Sequence, residues 1–97
     1  MCGFTGIIDT ELGEKSLNKF SDDSIIILNH RGPDSNGKFI QKENGISFSH
    51  NRLSILDLSS EGNQPMKSTC ERFLILFNGE IYNHLILREE HGKNFKW

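Results

Sequence analysis

Cys2 stands one peptide bond from the start of the chain, in Met1-Cys2-Gly3-Phe4-Thr5-Gly6. Removal of Met1 puts a thiol and a free α-amine on the same residue. These groups titrate near about 8.5 and about 7.7–8.0, so the residue would carry a nucleophile and its own base at neutral pH. A small cysteine is more often packing, and residues 1–6 alone favour that reading. The other positions with chemical potential have bland readings of their own. Arg52 reads as a solvated strand residue, Asn78-Gly79 as a hairpin turn, and His30-Arg31-Gly32-Pro33-Asp34 as a helix stop followed by a turn.

Composition removes several other chemistries. Lys and Arg number 11 against 13 acids, for a net charge of −2 and a pI near 6.0. The cations are scattered, so no basic field is expected to attract nucleic acid. His30, His50, His84 and His91 form no closely spaced pair, and Cys2 and Cys70 lack metal-ligand spacing, so no metal site is expected. Two cysteines make no disulfide framework, and free thiols in a reducing, cytoplasmic compartment are the expectation. No apolar run approaches the roughly 20 residues of a membrane span, and the N-terminus has no signal-peptide pattern.

The 97 residues suffice for one domain with a thin core. Phe4 to Ile8 is short, apolar and β-branched, which predicts a buried first strand. From Ser16 to His30, Leu17, Phe20 and Ile27 or Leu28 keep helical spacing, with Ser16 as candidate N-cap and Asp22-Asp23 exposed. Ile25 to Leu28 also fits a strand, but a fifteen-residue segment ending at Gly32-Pro33 favours helix. Lys38–Gln41 and Ile46–His50 flank Glu43-Asn44-Gly45, where Asn-Gly suits the positive φ of a hairpin turn. The second of these strands is expected to continue through Asp57, leaving Arg52 mid-strand. Residues 59–66 read as loop. Phe73-Leu74-Ile75-Leu76-Phe77 is apolar throughout, as in a strand covered on both faces. Asn83 is a candidate cap for a helix containing Leu85, Leu87 and Arg88 and ending at His91-Gly92. Phe95 and Trp97 share one face of what looks like a further strand.

Five segments then occur in order: Met-Cys-Gly-Phe-Thr-Gly at 1–6, His-Arg-Gly-Pro-Asp at 30–34, Asn-Arg-Leu-Ser-Ile-Leu-Asp-Leu at 51–58, Gly-Asn-Gln-Pro-Met at 62–66 and Phe-Asn-Gly-Glu-Ile-Tyr-Asn-His at 77–84. Together they resemble the N-terminal glutaminase domain of glutamine-hydrolysing asparagine synthases. These are class II glutamine amidotransferases of the N-terminal-nucleophile hydrolase superfamily. The resemblance implies an α+β fold of two antiparallel sheets stacked between helix layers. It implies that Cys2, freed of Met1, attacks the side-chain amide of glutamine with its α-amine as base. Asn78, through its side chain, and Gly79, through its N–H, would form the oxyanion hole, and Arg52 would grip the α-carboxylate. Leu53, Ile55 and Glu80 would complete the substrate wall, and the Arg31–Asp34 turn would support the nucleophile.

Glutamine and a synthetase domain are the implied partners, with ATP and magnesium belonging to that domain and no cofactor to residues 1–97. The family's aspartate for the substrate α-amino group follows the strand near Phe95 and is not reached by Trp97. Residues 1–97 are therefore expected to be a partial amidotransferase domain without its synthetase domain, with weak or no activity alone. Its exposed strand edges favour pairing between copies. Two alternatives stay open: a glutaminase domain serving an amino-sugar, purine or glycan acceptor, and a non-catalytic binding fragment.

Overall fold

The computed structural model describes residues 1–55 and 57–94. Leu56 and the strand expected around Phe95 and Trp97 lie outside the described residues. The described chain is α+β, with two small antiparallel sheets and two α-helices. Strand β1 (Gly3–Ile8) leads to helix α1 (Glu14–Ile27), then to β2 (Ser35–Gln41) and β3 (Ile46–Arg52). These strands make one sheet in the order β1-β3-β2. Two-residue strands β4 (Met66–Lys67) and β5 (Leu74–Ile75) form the second sheet, and α2 (His84–His91) follows.

The β2–β3 hairpin turns through a 3₁₀ segment, Lys42–Asn44, and Gly45. Only Gly45 takes positive φ there, at 63°, and its missing Cβ admits the Asp9 carbonyl, which would stand 2.0 Å from one. The loop is thus four residues, Lys42 to Gly45, two more than a two-residue Asn-Gly loop.

Helix α1 lies across β3, and its buried stripe runs Leu17, Ser21, Ser24. That is helical spacing, but with hydroxyls where an apolar stripe was expected. The small side chains let helix and sheet approach closely, and the hydroxyls of Ser21 and Ser47 find partners there, as buried polar groups usually do. Ser21 Oγ and Ser47 Oγ meet at 2.7 Å, Ser47 Oγ donates to the Leu17 carbonyl at 2.8 Å, and Asn51 Nδ2 donates to the Ile25 carbonyl at 3.0 Å. Leu17 is fully buried, whereas Ile27 is exposed. The helix starts at Glu14 rather than Ser16, with extended Gly13 at the N-cap and no side-chain cap. Its C-cap is Leu28, so Gly32 does not terminate it. Gly32 instead lies against β3, where a Cβ would sit 2.5 Å from the Asn51 carbonyl carbon.

On the other face of the sheet, Phe4 and Ile8 share a side with Phe39, Phe48, His50 and Arg52 by register. Phe4 and Ile8 are exposed, so β1 is buried only on its helix side. The second sheet meets this face over β2. A Cβ on Gly37 would be 2.2 Å from the Gln64 carbonyl oxygen, and Lys67 Nζ stands 5.6 Å from the Phe39 ring centre.

Two strand expectations are corrected. β3 ends at Arg52 rather than continuing through Asp57, because beyond it the side chains of Asp34 and Cys2 take the backbone groups that a ladder needs. The Arg52 carbonyl accepts from Asp34 N–H, the Ser54 N–H donates to the Asp34 carboxylate at 2.7 Å, and both polar groups of Leu53 face Cys2 Sγ. The Phe73–Phe77 run forms a strand only at Leu74–Ile75. Leu74 and Leu76 are half-buried, while Phe73, Ile75 and Phe77 on the alternate positions are exposed. Helix α2 begins after Asn83, which makes no side-chain cap bond, and Gly92 continues it right-handed into a 3₁₀ turn, Gly92–Asn94.

Candidate active site

At the Arg52 end of β3 a cleft of about 420 Å³ opens, walled by β3, the chain just beyond it and residues 77–82. Cys2, Arg52, Leu53, Ile55, Asn78, Gly79 and Glu80 all line it, although 77 positions separate Cys2 from Gly79. Met1 lines it as well and is largely exposed. Among the described residues no group of three His, Cys, Asp or Glu side chains is placed to hold a metal ion. No described helix is long and apolar enough to cross a membrane.

Antiparallel register brings Cys2 to this place. Gly3 pairs with Asn51, so the residue before it reaches the chain just beyond β3. There the Leu53 N–H donates to Sγ at 3.3 Å, and the thiol faces the Leu53 carbonyl at 3.7 Å. The sulfur is therefore held by the backbone of one residue that has left the sheet. The 31–34 turn lies directly behind. Arg31 Nη2 donates to the Cys2 carbonyl at 3.5 Å, while Asp34 fixes Arg52 and Ser54 as described.

Arg52 is nearly buried and not free to solvent as a bland strand residue would be. Its Nη1 donates to the Ser59 carbonyl at 2.6 Å and to Asn63 Oδ1 at 3.0 Å, and its Nη2 donates to the Asp57 carbonyl. The Asp57 carboxylate stands 3.7 Å away. The guanidinium thus gathers the 57–63 loop around itself, and Gly62 has no Cβ because Nη2 would be 2.3 Å from one. Hydrogen bonds from Ser59, with a smaller contribution from the Arg52 charge, hold the Asp57 carboxyl below its usual range.

The Asn78-Gly79 segment is not a hairpin turn. Among the described residues only Gly45 and Glu71 have positive φ, and the turn demanded at Asn-Gly needs it. Gly79 is glycine for a different reason: the Phe77 ring folds over it, 2.8 Å from where a Cβ would be. Asn78 and Gly79 thereby both lie at the cleft wall.

His50 and Gln64 are among the lining residues that the sequence reading did not name as site candidates. His50 is fully buried on β3, with both ring nitrogens lacking a hydrogen-bond partner of good geometry. Burial pushes its pKa below the usual value of 6.5; the Phe77 backbone opposes the shift and the Arg52 charge adds to it. Its position two residues before Arg52 on the same strand face was the available signal. Gln64 clasps Phe77: the Phe77 N–H donates to Oε1 at 2.5 Å and Nε2 donates to the Phe77 carbonyl at 3.1 Å. Nothing local in a loop sequence announces such a contact.

Away from the cleft, Cys70 sits exposed at the β4–β5 hairpin. A hydrogen bond from Ser68, aided by the Arg72 backbone, lowers the pKa of its thiol.

Residues 1–97 match the glutamine amidotransferase domain family. The chain is 41% identical over 95 residues to asparagine synthetase (glutamine-hydrolyzing) 1 of Bacillus subtilis (strain 168), covering 93% of this chain and 14% of that protein. It is 35% identical over 97 residues to asparagine synthetase B (glutamine-hydrolyzing) of Escherichia coli (strain K12), covering 100% and 17%. A putative asparagine synthetase (glutamine-hydrolyzing) 2 of Methanocaldococcus jannaschii is 38% identical over 108 residues, covering 93% and 20%. The chain thus spans about a sixth of the length of such relatives. With the family matched from end to end, this chain belongs to the glutamine amidotransferase domain family.

Proposed function

We propose that these residues form the front part of an N-terminal-nucleophile glutaminase, and that the cleft at Cys2 binds and hydrolyses glutamine once Met1 is removed. The α-amine of Cys2 takes the thiol proton as sulfur attacks the amide carbon of the glutamine side chain. Asn78 Nδ2 and the Gly79 N–H donate to the oxyanion of the tetrahedral intermediate. The α-ammonium passes its proton to the leaving nitrogen, so ammonia departs and a γ-glutamyl thioester remains. Water adds to the thioester, glutamate leaves and the thiol is restored. Substrate is oriented by the N–H groups of Arg52 that the loop does not use, a guanidinium being suited to a carboxylate. Leu53, Ile55 and Glu80 form the rest of the wall.

In the longer protein the ammonia would feed ATP-dependent conversion of aspartate to asparagine by a synthetase domain, where ATP and magnesium would bind, in the cytoplasm. The relatives' names support this acceptor chemistry. The observation that carries the proposal is the meeting of the Cys2 sulfur with Arg52 and Asn78-Gly79 in one cleft. Glutamate release from glutamine, measured beside intact mass, tests it: slow release by protein lacking Met1 and its loss in Cys2→Ala are expected. Equal release by Cys2→Ala would overturn the proposal.

A further inference from the structure

We infer that the Gln64 carboxamide is a positioning residue, holding the chain at Phe77 so that Asn78 and Gly79 present their donors to the cleft; this rests on the glutaminase reading above. The second sheet explains why a side chain does this work. Met66 pairs with Ile75 and Lys67 with Leu74, so the same antiparallel register, carried back two residues, sets Gln64 opposite Phe77. Pro65 lies between, and the Gln64 carbonyl that would face Phe77 is turned instead against Gly37 of β2. At Phe77 the pairing is taken over by the Gln64 side chain, whose carboxamide offers one acceptor and two donors. It accepts from the Phe77 N–H at 2.5 Å and donates to the Phe77 carbonyl at 3.1 Å, as a facing strand residue would.

The clasp is fixed at its other end. The Gln64 carbonyl is seated against Gly37 of β2, in a space that a Cβ would fill at 2.2 Å. The larger sheet therefore reaches through Gln64 to the peptide units flanking Phe77, and the second of these units supplies the Asn78 backbone. Cys2 is tied to the same sheet through Leu53 and the β1–β3 pairing. Nucleophile and donors are thus referred to one frame. Without the carboxamide the Phe77–Gly79 segment loses that reference, and misplacement of about 1 Å costs on the order of 10²-fold in reactions of this kind.

Gln64→Glu is the informative variant, because its carboxylate keeps the acceptor and loses the donor, whereas the protonated acid regains both roles. The readouts are the capture rates at Cys2 of a chloroketone analogue of glutamine, whose carbonyl needs the oxyanion donors, and of iodoacetamide, which does not. At neutral pH Gln64→Glu is expected to slow chloroketone capture about tenfold or more with iodoacetamide capture unchanged. The ratio to wild type should recover as pH falls towards about 4.3, where glutamate protonates; Gln64→Met should show the deficit without the recovery. Should Gln64→Glu fail to fold, displaced amide resonances of Gly79 and the Asn78 side chain in Gln64→Met are the expected result. Wild-type chloroketone capture by a folded Gln64→Glu, or undisplaced resonances in Gln64→Met, would overturn the inference while leaving the glutaminase reading intact. Failure of the wild-type protein to capture the chloroketone would instead refute that reading, and this inference with it.

Discussion

Arg52→Lys separates two tasks that the structure assigns to one guanidinium. Three of its N–H groups hold the Ser59 carbonyl, Asn63 Oδ1 and the Asp57 carbonyl; the proposed substrate clamp must use those that remain. Lysine keeps the charge and most of the stem but replaces a planar fork with a point donor. One ammonium can satisfy one of the three acceptors from the arginine position, so two hydrogen bonds are lost, each with a net value of about 1 kcal/mol. The Asp57 ion pair adds little, since its carboxylate is more than half exposed. A loss of about 2 kcal/mol lowers the midpoint of a domain this size by about 10 °C. Thermal melts followed by circular dichroism, with the KM for glutamine measured well below the midpoint, read both tasks together. The expected result is a lowered midpoint and a raised KM. An unchanged midpoint would mean that the 57–63 loop does not depend on Arg52, and an unchanged KM would remove Arg52 from substrate binding; either refutes the reasoning.

His50 should make stability pH-dependent in a defined direction. Above pH 6.5 its ring is neutral in folded and unfolded chains and contributes no dependence. Below 6.5 the unfolded chain binds a proton that the buried ring refuses, so stability falls with pH, by up to about 1.4 kcal/mol per unit, until the lowered folded-state pKa is reached. Urea unfolding between pH 7.5 and 5 should show a shallower acid-side fall in His50→Gln, and equal slopes would contradict the burial argument. Gly32→Ala places a methyl against the backbone of Asn51 and Arg52 rather than a yielding side chain, and should destabilise by about 1–3 kcal/mol. A melt indistinguishable from wild type would show that this close approach is absent in solution.

What the sequence made legible was mainly local. The β2–β3 hairpin, α1 and α2 are written in turn residues and periodicity, and each appears within a few residues of its expected place. Helix α1 shows where that reading stops. Its inner stripe contains Ser21 and Ser24 because a particular strand offers Ser47 and Asn51 opposite, and no pattern within the helix carries that information. The end of β3 failed for a similar reason: alternation in Leu53-Ser54-Ile55 suggests strand, but Cys2 and Asp34 arrive from distant segments and take the backbone groups. Phe73–Phe77 looked doubly covered because every position is apolar, whereas the described residues cover only one side.

The candidate site divides along the same line. Cys2, Arg52 and Asn78-Gly79 could be named because their chemistry stands out in the chain. Gln64 and His50 act through what lies beside them, and only the packing of the second sheet on the first brings each to Phe77. Why position 79 is glycine is likewise a matter of packing, since the Phe77 ring already occupies the position of its Cβ.

The central claim is that the Cys2 thiol, beside a free α-amine, forms a thioester with glutamine in this cleft. Acid-quenched intact mass and peptide mapping after brief incubation with glutamine test it most directly. The predicted result is a γ-glutamyl adduct confined to Cys2 of chains lacking Met1. An adduct on exposed Cys70 instead, or none on chains that have lost Met1, would contradict it.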